Sequence, residues 1–424
     1  MHANLFDYQK TGARFLAERD FAYNADDPGL GKSAQAVTCA ILSGAKTVRV
    51  VAPATVRENW HREFNRFGGS DIAVQSLSYE GATKLHKAGE LRATDYLIVD
   101  EAHYLQSREA QRTRAILGPK LDLKNSIAAL SGKTSFLSGT PARANPSQLW
   151  PVLHAAFPES VKTKRGTPLD FWAFAKRYCH VKDNGFGLQI EGGRNLEDLR
   201  LRMAPYFIRR KADDVLKDLP EIRFGTVIVE PKTVAREVRA IEHEMSGEIE
   251  AALRDGDLER LSQSTAGLRR FIGLAKIKPV FDLAIEELIY TDKLVLFAWH
   301  VDVLDGLEKL FREQNIDVVR IDGGTPAGRR QQAVDRFQTN PDCRVFLGNI
   351  LAAGVGNTLT AAHRMLIVES SYTPADNWQA ALRIRRIGQK SDCLVRFVAL
   401  AGSYDERITE IVEQKTRTLA QLGF

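Results

Sequence analysis

Cysteine is scarce in this sequence and does not cluster. Four occur among 424 residues, Cys39, Cys179, Cys343 and Cys393, far apart and without a C-x-x-C spacing. Neither a zinc site nor a disulfide framework is indicated. Long apolar runs are missing too: nothing approaches the ~18 residues of a membrane span. Acids and bases are mixed throughout Met1 to Asp20, which argues against a leader peptide and for a cytoplasmic protein with no membrane partner. A large excess of one charge sign is also absent. The 59 Lys and Arg against 53 Asp and Glu leave +6, a balance that leans towards a polyanionic partner yet equally suits an ordinary soluble surface.

A hydrophobic content of 44% and a charged content of 26% are those of a globular protein with cores. The length exceeds what one core usually serves, so two domains are expected, residues 1–225 and 226–424. The chain is read as α/β, with two parallel-sheet lobes. Helical or hairpin insertions are expected at about 158–222 in the first lobe and 233–288 in the second.

Asp26-Asp27-Pro28-Gly29-Leu30-Gly31-Lys32-Ser33 is a glycine-rich turn running into a helical pattern. As a phosphate loop it would hold a polyphosphate by backbone N–H groups and the helix N-terminus. Lys32 would reach the β- and γ-phosphates of ATP, and the Ser33 hydroxyl would ligate Mg²⁺. The usual G-x-x-x-x-G-K-[ST] pattern has glycine where this chain has Asp26, and an ordinary strand-to-helix turn is the competing reading. Upstream, Gln9 sits on a short amphipathic helix, either exposed or bonded to an adenine edge.

Strand and helix patterns then alternate: Thr47–Ala52, a capping box at Thr55–Glu58 before Trp60 and Phe64, and Ile72–Leu77. Tyr96-Leu97-Ile98-Val99 delivers Asp100-Glu101-Ala102-His103 at a strand's carboxyl end, where open α/β sheets bind ligands. Asp100 would hold Mg²⁺ and Glu101 would orient and deprotonate the attacking water. Thr134–Leu137 ends in Ser138-Gly139-Thr140-Pro141, either a link from the nucleotide to a bound polymer or a plain turn. Asn184-Gly185 and Gly192-Gly193 bracket an expected hairpin at 186–190. Arg209-Arg210-Lys211 either touches phosphates or forms a solvated face, the commoner case for such runs.

The second half repeats the alternation from Leu294 to Leu400 without a phosphate loop. Arg383 and Arg386 lie three apart, so on a helix they would share a face. They could serve as arginine fingers; the competing reading is a basic helix on a nucleic-acid surface, which would claim Arg385 and Lys390 as surface cations in either case.

The ordered series Gln9, Asp26–Ser33, Val51-Ala52-Pro53, Asn59-Trp60, Asp100–His103, Ser138-Gly139-Thr140, Phe207–Pro220, Asp322-Gly323, Gly354–Thr360 and Gln379–Gln389 resembles the Swi/Snf-type DNA-translocating ATPases of helicase superfamily two. Arg177-Tyr178-Cys179, the Asn184–Asn195 region, Gly273–Lys276 and Leu359–Ala362 look most like its strand-annealing, fork-remodelling subfamily. The resemblance implies two RecA-like lobes, ATP and Mg²⁺ as cofactors, and translocation on double-stranded, possibly forked, DNA by a monomeric motor. It makes Gly29, Leu30, Gly31, Lys32 and Ser33 the nucleotide cradle, Gln9 an adenine contact, Asp100 and Glu101 the catalytic carboxylates, and Arg383 and Arg386 trans-acting arginines. Pro53, Thr55, His103, Ser138, Thr140, Gly354, Thr358 and Gln379 fall at positions that contact DNA or couple it to ATP. Leu382 and Arg385 depart from the family's usual Asp and His, and Asp27 and Pro28 from its Glu and Met. A minimal phage or bacterial member is expected. A strand-separating DNA or RNA helicase, and a non-hydrolysing ATP-gated DNA clamp, are the alternatives.

Overall fold

The computed structural model describes residues 5–422 except 55, 58, 144, 164, 184–187, 217, 231–246, 248, 251–264 and 354–356. The chain divides into two units, Met1–Leu216 and Lys217–Gly423.

Lobe one is built on a six-stranded sheet. Its strands are β1 (Phe21–Asn24), β2 (Thr47–Ala52), β3 (Ala73–Ser78), β4 (Thr94–Asp100), β5 (Ser131–Leu137) and β8 (Phe207–Ile208), in the order β3-β2-β4-β5-β1-β8. Every pairing is parallel. The central strands are buried on both faces, hence the unbroken Tyr96-Leu97-Ile98-Val99 run. Helix α1 (Asp7–Ala17) precedes β1, and helix α2 (Lys32–Leu42) follows it. The short strand β8 is rooted by aromatic packing: Phe207 stacks on Tyr23 with ring centres 4.4 Å apart, and Phe157 meets Phe207 edge-on. Between β5 and β8 the alternation stops, as expected. That stretch carries helices and an antiparallel hairpin, β6 (His180–Asp183) with β7 (Leu188–Glu191), while the expected turn residues 184–187 lie outside the described residues.

Lobe two holds β9 (Ile222–Val229), β10 (Leu294–Ala298), β11 (Asp317–Ile321), β12 (Cys343–Asn349), β13 (Arg364–Ile367) and β14 (Cys393–Leu400), in the order β11-β12-β10-β13-β14-β9. These pairings too are parallel throughout. The two-lobe α/β expectation therefore holds. A boundary after residue 225, however, would cut through β9, which pairs with β14 along its whole length. Ile222, Phe224 and Val227 pack on the lobe-two core and draw the strand into that sheet. Of the helical insertion expected at 233–288, helix Ala266–Tyr290 is present, and 231–246 and 251–264 lie outside the described residues. No helix among the described residues is long and apolar enough to cross a membrane.

Helix Ala266–Tyr290 supports the carboxyl end of β10. The buried Glu369 carboxylate accepts the backbone N–H groups of Trp299 and His300 at 2.9 Å each and meets His300 Nδ1 at 2.7 Å. Gly273 makes room for it, since a Cβ there would stand 2.2 Å from Glu369 Oε1 and 3.0 Å from Val303. Gly273→Ala should therefore destabilise lobe two by about 1–3 kcal/mol. Gly267→Ala, on the same helix with nothing near its Cβ, should be neutral or stabilising by about 0.4–1 kcal/mol. Thermal unfolding of the two variants beside the parent checks the contrast.

Candidate active site

In a parallel sheet the carboxyl ends of all strands lie along one edge, and in lobe one β4, β5 and β1 are neighbours there. Their tips carry Asp100-Glu101, Ser138-Gly139-Thr140 and the Asp26–Ser33 loop, three segments far apart in sequence.

The loop is held open by glycine. Gly29 and Gly31 have φ of 92° and 72°, in the left-handed region, and Gly31 is the N-cap of α2. A glycine cap has no side chain to bond the first-turn N–H groups, which suits them to an anion. Gln9 closes the loop from behind. Its amide Nε2 donates to Leu30 O at 3.2 Å, and a Cβ on Gly31 would stand 2.4 Å from that nitrogen. Lys32 Nζ donates to the carbonyls of Asp26 at 2.8 Å and Asp27 at 3.2 Å. Burial lowers the lysine pKa, opposed by the charges of Glu101, Asp26, Asp27 and Asp100. The ammonium thus sits among the carboxylates that a polyphosphate and its cation would join.

Glu101 departs from strand geometry. Its φ and ψ are both 51°, left-handed for a residue with a side chain, a conformation costing on the order of 1 kcal/mol or more. The backbone is fixed by the Tyr79 hydroxyl, which donates to the carbonyls of Asp100 at 2.8 Å and Glu101 at 3.2 Å, and by Tyr104 N at 2.9 Å. The turn separates the two carboxylates. Asp100 Oδ2 accepts the Trp60 indole N–H at 3.1 Å and Oδ1 accepts Glu101 N at 3.0 Å. Glu101 Oε2 lies 3.1 Å from His103 Nδ1, and the same ring nitrogen is 3.0 Å from Ser138 Oγ. Both contacts fall on that one nitrogen, so the Glu101 carboxylate, the His103 ring and the Ser138 hydroxyl cluster where the tips of β4 and β5 meet. Ser138 Oγ also accepts Thr140 N at 3.2 Å. A Cβ on Gly139 would stand 2.7 Å from the Pro28 ring, so this segment presses directly on the phosphate loop.

The remaining expected residues separate. Pro53, at the end of β2, is buried and its carbonyl accepts Val56 N at 3.0 Å. Thr55 and Gly354, and Thr55 and Glu58 of the capping box, lie outside the described residues. In lobe two, Gln379 is on helix Pro374–Ala381. Arg383 and Arg386 are not on one helical face, because that helix ends at Ala381. The Arg383 carbonyl accepts Leu359 N at 2.9 Å instead of continuing the helical ladder, and the Gln389 side chain binds the carbonyls of Thr360, Ala362 and Ile384. Arg386 Nη1 donates to Thr358 Oγ1 at 2.8 Å and Asn357 O at 3.0 Å. Arg385, read as a surface cation, is buried with Nε donating to Pro220 O at 2.7 Å.

Sequence reasoning missed Trp60 and Tyr79 as supports of the carboxylates, and misjudged Arg210. Within the Arg209-Arg210-Lys211 run, Arg209 and Lys211 are exposed, as in the commoner reading, but the Arg210 side chain is 15% exposed and ion-paired with the fully buried Asp26. Sequence signals existed in the aspartate standing where a glycine was expected and in the arginine pair after an apolar Phe-Ile.

Asp100 is pushed up to about 7, first by burial and then by the Glu101 charge, with Trp60 and Lys32 opposing. Its unfolded value is about 3.9. The folded form thus keeps its proton where the unfolded chain loses it, so ionising Asp100 costs stability as pH rises from about 4 through about 7. Asp100→Asn removes that cost. The variant should melt above the parent at pH 8 in the absence of nucleotide and divalent metal, with the gap closing as pH falls towards 4.

Residues 70–239 match the SNF2-related domain and residues 276–388 the helicase conserved C-terminal domain. The chain is 32% identical over 449 residues to a Caenorhabditis elegans protein named SWI/SNF-related matrix-associated actin-dependent regulator of chromatin subfamily A-like protein 1 homolog, covering 99% of this chain and 62% of that one. It is 28% identical over 449 residues to the Mus musculus DNA annealing helicase and endonuclease ZRANB3, covering 98% of this chain and 40% of that one. The chain thus spans less than two thirds of the length of either relative. Among solved structures, the Sulfolobus solfataricus SWI2/SNF2 ATPase core in complex with dsDNA aligns over 100% of this chain and 96% of that one, at 20% identity and a TM-score of 0.43. In chain order, the two family matches are thus to a SNF2-related domain and then to a helicase conserved C-terminal domain.

Proposed function

We propose that this chain is a DNA-stimulated ATPase that tracks along duplex DNA and remodels DNA or DNA–protein complexes. The observation that carries it is the meeting of Lys32 with the Asp100-Glu101 pair along one sheet edge, tied through His103 to Ser138. ATP fits the cradle: two left-handed glycines, a helix start without a side-chain cap, and a half-buried ammonium. Mg²⁺ fits the donor set as well. Mg²⁺ takes one or two protein oxygens and completes its shell with phosphates and water, which a serine hydroxyl and an aspartate carboxylate can supply. Ser33 and Asp100 would hold it, and when bound it would neutralise charge on the phosphates.

In this reading Lys32 exchanges its bonds to the Asp26 and Asp27 carbonyls for phosphate oxygens. Glu101 orients the attacking water and takes its proton, with His103 fixing the carboxylate on the side of the β5 tip. Arg383 and Arg386 act in trans on the developing phosphate charge, and Arg386 is held back by Thr358 and Asn357 until then. Gln9 meets the adenine edge. Pro53, Thr55, Ser138, Thr140, Gly354, Thr358 and Gln379 contact DNA or transmit its presence. The name of one relative, a DNA annealing helicase, supports DNA as the polymer and annealing as the task, and fork remodelling is part of the same proposal. A monomeric motor of phage or bacterial origin, in two RecA-like lobes, remains part of the proposal.

Duplex DNA should stimulate ATP turnover, and the stimulation should weaken steeply with salt, since phosphate contacts dominate such binding. Stimulation by single-stranded RNA and not by duplex DNA would overturn the reading in favour of an RNA helicase. Glu101→Gln should abolish turnover and keep ATP binding, whereas an unchanged turnover would remove Glu101 from this role. Arg386→Ala should lower turnover on the order of 10³-fold with little change in nucleotide affinity. Tight ATP and DNA binding by the parent without any turnover would instead indicate a clamp.

A further inference from the structure

The ATP reading assigns no task to the arginine of the Phe207–Lys211 segment, although it makes the most heavily bonded charge pair beside the phosphate loop. Asp26 is fully buried. Arg210 Nε donates to its Oδ1 at 3.0 Å, Arg210 Nη2 donates to its Oδ2, and Gln35 Nε2 donates to Oδ2 at 2.9 Å. The rest of the guanidinium is used as well: Nη2 also donates to Gln35 Oε1 at 2.9 Å, Nη1 donates to Tyr8 O, and the group lies 5.2 Å from the Tyr8 ring centre. Gly12 permits this assembly, because a Cβ there would stand 1.8 Å from Gln35 Oε1 and 2.6 Å from Arg210 Nη2. The backbone carries the same join one residue on. Asp27 N donates to Arg210 O at 3.0 Å, and Ala212 N donates to Asp27 Oδ2 at 3.0 Å.

Two consequences follow. The carbonyls of Asp26 and Asp27, fixed by these bonds, are the ones that receive the Lys32 ammonium, so the aim of Lys32 depends on them. The segment that fixes them, Phe207 to Leu216, is the last of lobe one before the chain enters lobe two at Lys217. When Lys32 leaves those carbonyls for a phosphate, the loop that Arg210 grips must adjust, and the exit segment is bonded to that loop at both Arg210 and Ala212.

We propose that Asp26 and Arg210 form a positioning latch through which the occupancy of the phosphate loop is transmitted to the exit segment of lobe one. The proposal rests on the ATPase reading above. Arg210 is a positioning residue in it, since it acts through Asp26 and the loop backbone.

Hydrogen exchange on the full chain, with and without a non-hydrolysable ATP analogue and Mg²⁺, tests it, with occupancy confirmed by calorimetry. Bound nucleotide should slow exchange at residues 208–214 about fivefold or more, the lower end of typical coupling. Saturation of the parent without change in that segment would overturn the latch and leave the ATPase reading standing, while failure of the parent to bind nucleotide would overturn both. Arg210→Gln and Asp26→Asn, each checked for cooperative unfolding, should lower kcat at saturating ATP on the order of 10²-fold by misplacing Lys32. The double variant should be no worse than the poorer single one. Losses that multiply, as for independent sites, would contradict the latch, as would an Arg210→Gln enzyme that folds and turns over within about twofold of the parent.

Discussion

Lobe one depends on a carboxylate that water does not reach. Asp26 sits beneath the phosphate loop with no exposed surface, where an unmatched charge would cost several kcal/mol, about 3–5 when one partner of a buried pair is removed. Arg210 and Gln35 match it, and each brings an element with it. Arg210 brings the end of β8, which stays in the sheet because Phe207 stacks on Tyr23. Gln35 brings the first turns of α2 and also accepts Asn24 Nδ2 at 2.9 Å. A strand, a helix and the exit from the lobe thus converge on one side chain, and the loop that would hold phosphate is the cover over it.

The catalytic edge uses burial for a second purpose. Asp100 and Glu101 are adjacent in sequence, yet a left-handed residue turns them into different surroundings. Asp100 faces Trp60 beneath the sheet edge, and Glu101 faces His103 and, through it, Ser138. Neighbouring carboxylates raise each other's cost of ionisation, so dissimilar partners allow one to serve as a metal ligand and the other as a base. The pressure of Gly139 on Pro28 closes the circuit from β5 back to the loop. Any rearrangement at the Ser138–Thr140 tip therefore reaches both the base and the phosphates by contact.

Much of this was legible in the residue pattern, and the parts that were not share a cause. Parallel strands buried on both faces, such as Tyr96–Val99 and Leu294–Ala298, announce themselves by unbroken apolar runs, and the glycines and Lys32 announce the loop. β1 is only Phe21–Asn24 and β8 only Phe207–Ile208, too short for any periodicity to register, so the strand under the phosphate loop went unread. β9 slips in its alternation at Gly225 and was split between the two lobes. The buried pair of Asp26 with Arg210 spans 184 positions, and in sequence a charge that will be buried looks the same as one that will be solvated. Arg383 and Arg386 show the opposite failure. Their spacing suits a helix, but Leu359 N–H and Gln389 draw the backbone into a turn, a tertiary effect that local spacing does not encode.

Lobe two has the same sheet architecture but answers the strand-end N–H groups of Trp299 and His300 with its own carboxylate, Glu369. Its contribution to the proposed motor lies in Arg383, Arg386 and the Thr358 turn. On the function proposed above, ATP turnover at the Lys32–Glu101 site drives movement along duplex DNA. Displacement of a third strand from a DNA triplex tests it most directly. With ATP and Mg²⁺ the parent chain should strip the third strand, while Lys32→Ala, or the parent with a non-hydrolysable analogue, should leave it in place. A triplex that survives while duplex DNA stimulates ATP hydrolysis would contradict the account.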